Sequence, residues 1–302
     1  MKIALHDADG HNFPNLALMK LSAWHKKQGD SVEFYFPFLH DTYNKIYSSK
    51  VFTFTKVNDF LPESTNKGGT GYKIYDNVLP DKIEHIYPDY SLYETKNAYG
   101  FVTRGCPNNC PWCIVPRKEG GIKPNADISE FWDGQEKIIL MDNNILASDH
   151  GIKQLEKISR LGVEVDCNQG LDDRLVDKNI AKLISKTKFT KIRFACDTKS
   201  QMEPLKRAVE LIRQVSGKKG QFFVYVLVKN DIEDALERVE FLRSLKVDPF
   251  AQPYRDFEGN KPNPEQIKFA RWVNSKPIWK TVKWENYIHS SGNSLKQKLT
   301  VK

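Results

Sequence analysis

Residues 99–121 read YGFVTRGCPNNCPWCIVPRKEGG, and this stretch decides how the rest of the chain is read. A short strand-like run ends at Arg104, Gly105 turns the chain, and Cys106, Cys110 and Cys113 follow at the spacing C-x3-C-x2-C. Pro107 and Pro111 keep the segment out of a helix, because proline fixes its backbone angle and lacks the N–H that a helix interior needs. The loop can therefore wrap a compact object with its thiols inward. Three thiolates leave one iron of a cubane 4Fe-4S cluster without a protein ligand, open to a substrate or cofactor. Structural zinc is the competing reading, and it asks for four ligands around a tetrahedral ion. The nearest histidines, His85 and His150, have no ligand spacing to these cysteines, so the ligand count favours iron–sulfur.

Outward from this loop the chain alternates between two periodicities. Strands are predicted over Ala98–Thr103, Lys137–Met141, Val163–Cys167, Lys191–Cys196, Phe222–Val228 and Val247–Gln252. Helices are predicted between them, over Ile128–Trp132, Asp149–Leu161, Asp177–Lys186, Gln201–Val215 and Ile232–Leu245. Six strands with helical crossovers make an α/β unit, either a doubly wound sheet or part of a β/α barrel. Ahead of it, strands over Lys2–His6, Ser31–Phe36 and Val51–Thr55 and helices over Asn15–Gln28 and Asp41–Ser48 predict a small Rossmann-like parallel sheet. Glu63–Gly71 reads as a loop, and its Gly68-Gly69-Thr70-Gly71 as a plain turn rather than a phosphate cradle, since no clear strand and helix flank it.

At Cys106, Cys110, Trp112 and Cys113 the chain resembles the radical S-adenosylmethionine superfamily, whose signature is C-x3-C-x-φ-C with φ aromatic or apolar. The resemblance spans about residues 99–254 and lies towards the cobalamin-binding-type and methylthiotransferase-like branch. It implies a partial (β/α)6 barrel and so chooses between the two architectures above. The implied division is a Rossmann-like domain over 1–92, the barrel over 93–258, and a basic, Trp-bearing extension over 259–302. It also implies that Cys106, Cys110 and Cys113 hold a 4Fe-4S cluster. One electron from the cluster cleaves S-adenosylmethionine, and a flavodoxin- or ferredoxin-type donor supplies it. Cobalamin is not expected: those relatives use D-x-H-x-x-G, which Asp7-Ala8-Asp9-Gly10-His11 does not match. The further N-terminal cysteines of methylthiotransferases are missing too.

Ligands of a β/α barrel sit at the carboxyl ends of its strands. The second predicted strand is followed by Asp142, Asn143 and Asn144, where relatives carry a Gly-Gly-Glu motif that this chain lacks. Asp142 either accepts from the cofactor's amino group or makes an Asx turn or cap. After the third strand come Gln169 and Arg174; Arg174 either clamps a carboxylate or pairs with Asp172 or Asp173. Asp197, after the fourth strand, either meets a ribose or polar substrate group or caps the next helix. Trp112 is expected to cover the adenine or the cluster. Cys167 and Cys196 read as small buried hydrophobes.

Composition narrows the class. The chain has 302 residues, 40% hydrophobic and 28% charged, which suits a soluble globular protein. Its longest apolar run, Phe222–Val228, is too short to span a bilayer. His6, Asp7 and Asp9 interrupt any signal-peptide pattern, so no membrane partner and a cytoplasmic location are expected. Five cysteines, three of them clustered, read as a metal site in a reducing compartment. Of the net charge of +8, +7 lies in the last 42 residues, where nine Lys/Arg face two Glu. Interleaved with Trp272, Trp279, Trp284 and Tyr287, these cations either contact a nucleic acid or remain solvated while the rings pack on the barrel. The second outcome is the safer expectation, because tryptophan is usually highly buried. Two other readings of the whole remain: a cluster- or zinc-stabilised nucleic-acid-binding protein without catalysis, and methyl transfer from S-adenosylmethionine.

Overall fold

The computed structural model describes residues 1–10, 13–57, 60–217 and 221–288. Strands β1 (Lys2–Asp7), β2 (Ser31–Phe34), β3 (Lys45–Ser49) and β4 (Asn66–Gly68) form a parallel sheet in the order β2-β1-β3-β4. Helix α1 (Leu16–Lys27) starts where the Asn15 side chain accepts from the Leu18 N–H. It packs Leu18 and Leu21 against Ile3 and Leu5, while Leu16 turns to Tyr99 and Ile139 of the following unit. One helix thus serves two sheets, so burial extends over most of its surface and weakens its amphipathic pattern. The short helix α2 (Asp81–Glu84) adds Ile83 to the first core.

Two expectations for this unit are overturned. Asp41–Ser48 is not a helix: the chain makes a 3-10 turn over Pro37–Thr42 and then enters β3, whose burial alternates around Ile46 and Ser48. Pairing of β3 with β1 outweighs the local helical preference. Nor is Val51–Thr55 a strand. The Asp9 carboxylate accepts from the Val51 and Phe52 N–H groups and the Thr55 hydroxyl, so a side chain takes the place of a ladder. The Glu63–Gly71 stretch contains β4 and a 3-10 turn over Thr70–Tyr72. A Cβ at Gly69 (φ +103°) would sit 2.4 Å from the Lys50 carbonyl oxygen, so this glycine serves close backbone packing. His11 lies outside the described residues.

The second unit opens with β5 (Asn97–Gly100). The hairpin of β6 (Thr103–Arg104) with β7 (Lys123–Pro124) then closes the cysteine loop, with the single turn α3 (Val115–Lys118) inside it. It continues through β8 (Lys137–Leu140), α4 (Asp149–Leu161), β9 (Glu164–Cys167), α5 (Lys178–Lys186), β10 (Lys188–Phe189), β11 (Ile192–Ala195), α6 (Met202–Ser216), β12 (Phe222–Val228), α7 (Ile232–Ser244) and β13 (Asp248–Pro253). The expected helix at Ile128–Trp132 is only a 3-10 turn, Ile128–Glu130, held by a capping box of Asp127 and Glu130.

A strand stands at each of the six expected places, but the strands are shared between two parallel sheets, β10-β9-β8-β5 and β11-β12-β13. No closed barrel forms among the described residues; the architecture is α/β with parallel sheets. The break lies where the chain leaves β9 after Phe189 and joins β12 from Ile192. Across it, Leu171 N–H donates to the Arg193 carbonyl, and the Arg193 guanidinium grips Asp166 at 2.6 and 2.8 Å. A bidentate side-chain pair spans the gap that ladder bonds leave.

After Gly259 the chain forms α8 (Pro264–Asn274) and α9 (Lys276–Thr281). Asn263 and Gln266 make a capping box at the start of α8, with Pro264 at its first position. Trp272 and Trp279 are 0% and 3% exposed within the main core, and Trp284 and Tyr287 pack against it. The stretch is therefore part of the second unit's core. Trp272 and Trp279 are too buried to stack on bases, whereas Trp284 and Tyr287 are part-exposed; Lys296, Lys298 and Lys302 lie outside the described residues. No helix among the described residues is long and apolar enough to cross a membrane.

Candidate metal centre

The cysteine loop is clasped at both of its ends. Gly105 has φ +77°, and a Cβ there would meet the Gly121 and Gly120 carbonyl oxygens at 2.1 and 2.7 Å, so the two ends of the loop touch only because this residue is glycine. Cys106 N–H donates to Gly120 O at 3.1 Å. Glu119, a residue the sequence did not single out, accepts from Gly105 N–H and from Asn143 Nδ2, both at 2.9 Å. Arg104 pairs with Glu119 and Glu84, and Glu84 also pairs with the buried Lys20 of α1. An unbroken run of ion pairs thus joins the N-terminal unit to the base of the loop.

The three thiols are half-buried, whereas Cys167 and Cys196 are fully buried, as expected of small hydrophobes. Burial pushes the Cys110 and Cys113 thiols up, and the neighbouring loop thiols add to the rise; Arg174 opposes it at Cys110. Mutual repulsion of this kind is what a bound metal centre relieves, since it deprotonates its thiol ligands. Among the described residues no three His, Cys, Asp or Glu side chains converge closely enough to share one ion. Each thiolate of a cubane binds a different iron, so a cluster does not ask for that convergence as zinc does.

The residues predicted around the loop separate into two groups. Asn144, Asp172 and Arg174 meet it directly. Asp172 accepts from Asn108 Nδ2 (3.0 Å), within the C-x3-C segment, from Asn144 Nδ2 (2.9 Å), and from both prongs of Arg174 (2.7 Å each). Burial raises the Asp172 pKa, but these hydrogen bonds hold it below the ordinary carboxylate range. Arg174 is thus paired with Asp172 rather than open for a carboxylate. Asn144 Nδ2 also lies 3.7 Å from Cys106 Sγ, and its Oδ1 is buried with no partner among the described residues. Asp197 and Trp112 stand on the other side. Burial raises the Asp197 carboxyl, and the Leu227 N–H, Arg238, Trp112 and Lys229 oppose the rise. Lys229 lies 3.9 Å from the Trp112 ring centroid, so an ammonium covers the indole expected to face adenine. Capping of the following helix falls to Thr198 and Gln201, not Asp197.

Asp142, Asn143 and Gln169 make no hydrogen bond to a loop sulfur among the described residues. Asp142 is 2% exposed and turned inward, accepting from Val102 N–H, Thr103 N–H and the Thr103 hydroxyl. Its carboxyl is pushed up to about 6 by burial, with those bonds opposing. It anchors the strand that enters the cysteine loop. Asn143 is spent on Glu119, and Gln169 is exposed with no side-chain hydrogen bond among the described residues.

Sequence reasoning missed Glu119, Asn108, Lys229 and Arg238. Arg238 lies on the buried face of α7 with Ala235, Val239 and Leu242 and is 1% exposed, donating to the Cys196 and Leu227 carbonyls and to Asp234. Its spacing of four from Asp234 was the only signal.

Asp173 yields a prediction. It is 5% exposed, its Oδ2 has no partner among the described residues, and burial with the Asp172 charge pushes it up to about 7. A carboxyl raised on folding is matched to its proton at low pH, and stability is lost as pH climbs from about 4 through 7. Asp173→Asn is therefore expected to gain up to about 4 kcal/mol at pH 8 and nothing near pH 4. Chemical denaturation at the two pH values checks this, and equal gains at both would rule it out.

Compared with known protein families and with curated proteins, the chain matches none.

Proposed function

We propose that this chain is a radical S-adenosylmethionine enzyme, with the two parallel sheets acting as an opened partial (β/α)6 barrel around the cysteine loop. What carries the reading is the loop itself: three half-buried thiols at C-x3-C-x2-C spacing, tied to the segments after β8 and β9 by Asn144 and Asp172. Cys106, Cys110 and Cys113 would hold the cluster, which when bound supplies the electron for reductive cleavage of S-adenosylmethionine. The remaining work belongs to the chain. Arg174 sets a positive charge near Cys110, offsetting the thiolates. The unpartnered Asn144 Oδ1 offers an acceptor beside Cys106, suited to an amine donor on a bound ligand. Trp112 on the loop, capped by the Lys229 ammonium, and Asp197 after β11 supply an indole, a cation and a carboxyl beside the thiols. The substrate of the radical step is not named by these features. An electron donor of flavodoxin or ferredoxin type completes the proposal.

Product analysis tests it. Protein reconstituted anaerobically with iron and sulfide, then reduced with S-adenosylmethionine present, is expected to release 5′-deoxyadenosine. S-adenosylhomocysteine instead would redirect the assignment to methyl transfer. A loaded cluster with no cofactor turnover under strong reductant would overturn it in favour of a structural centre.

A further inference from the structure

We infer that Asn144 is a hydrogen-bond donor to the Cys106 sulfur that sets the reduction potential of the centre, and that Asp172 is the residue that aims it. The inference rests on the cluster reading above and goes beyond it, because nothing in the ligand motif specifies how readily the centre accepts an electron.

The geometry is specific to one amide. Asn144 is 3% exposed, so its rotamer is fixed by its surroundings. An ionised carboxylate can only accept, and Asp172 Oδ2 at 2.9 Å therefore selects the Nδ2 side of the amide. The second N–H of the same nitrogen reaches Cys106 Sγ at 3.7 Å. Arg174 holds Asp172 from outside with two bonds, and Asn108 holds it from within the loop. The unpartnered Oδ1 is the counterpart of this choice: the amide forgoes an acceptor contact to keep its donor on the sulfur and the carboxylate. Among the described residues no other side chain donates to a loop sulfur.

The consequence follows from charge. One-electron reduction makes a thiolate-ligated cluster more negative, and an N–H pointed at sulfur stabilises the reduced form more than the oxidised one. Hydrogen bonds to the sulfurs are among the factors that set such potentials. The donor thus raises the potential, and its loss lowers it. Asp172 and Arg174 act through Asn144 as positioning residues.

Asn144→Leu is the test, since leucine keeps the size of the side chain, lacks the N–H and removes the unpartnered oxygen. The readouts are iron and sulfide content and a redox titration followed by visible absorbance and EPR. The variant is expected to load as much cluster as wild type, with a midpoint potential shifted to more negative values and a smaller fraction reduced at a fixed potential. Asp172→Asn also removes a negative charge, which by itself raises the midpoint, so it is read against the same change in the Asn144→Leu background: the rise is expected to be smaller with Asn144 present, because only there is the aimed amide also released. A loaded Asn144→Leu protein with the wild-type midpoint overturns the inference. If that variant holds no cluster, the Asn144→Ala titration decides, and an unchanged midpoint there overturns it equally. Wild-type protein that takes up no iron–sulfur centre overturns the cluster reading, and this inference with it.

Discussion

Replacing any one of Cys106, Cys110 or Cys113 with alanine is expected to abolish reductive cleavage of S-adenosylmethionine, whereas Cys167→Ala and Cys196→Ala retain it. Wild-type protein should carry about four irons and four sulfides per chain, the centre that three thiolates on one loop imply. The contrast between the two sets of cysteines is physical. The loop thiols are half-buried and repel one another, so alanine there removes a ligand and leaves little cavity. Cys167 and Cys196 are 3% and 0% exposed within the main core, and truncating either costs about 1–2 kcal/mol of packing without touching a ligand. Iron content, visible absorbance and 5′-deoxyadenosine release measure the two sets side by side. A Cys110→Ala protein that cleaves the cofactor at the wild-type rate would remove the basis of the assignment.

Ending the chain after Gly259 is expected to unfold the second unit rather than trim a tail. The cut removes Phe269, Trp272, Val273 and Trp279, all 3% exposed or less. Losing large buried side chains costs about 3–5 kcal/mol each when the space cannot collapse. Together they reach on the order of 10 kcal/mol, as much as a typical domain's whole stability. The cut also strips β13 of Asn274, which bonds the Ala251 N–H and carbonyl at 2.8 and 3.0 Å, and removes the bond from Gln266 to the Val228 carbonyl. An uncovered strand edge then invites aggregation. The expected result is insoluble protein or a broad thermal transition by circular dichroism. A soluble truncated chain melting within a few degrees of wild type would show that the extension is dispensable to the core.

The candidate site was legible where its chemistry is local. The C-x3-C-x2-C spacing, the two prolines and Gly105 lie within nine residues, and each acts through its own backbone or its own thiol. Asn144 and Arg174 were found because carboxyl ends of parallel strands are where α/β folds bind ligands. Asp172 was read as one partner of Arg174, two residues away, but its bonds from Asn144 and Asn108 were not, because a hydrogen bond across 28 or 64 residues leaves no trace in spacing. Asp142 shows the same limit from the other side: a carboxylate after a strand fits both a ligand contact and a buried anchor, and its bonds to Val102 and Thr103 are visible only in the fold.

For the fold, the sequence by itself determined the alternation of strand and helix in the second unit, since buried parallel strands and amphipathic helices carry their periods in the side chains. Only the tertiary structure decided the rest. It made Lys45–Ser49 a strand by pairing it with β1, and it denied one to Val51–Thr55 by giving that backbone to Asp9. It divided six strands between two sheets at Arg193 and Asp166, and it drew the tryptophans of a basic terminal stretch into the core. In each case the deciding contact joins residues far apart in the chain, and its energy exists only once both have been brought together.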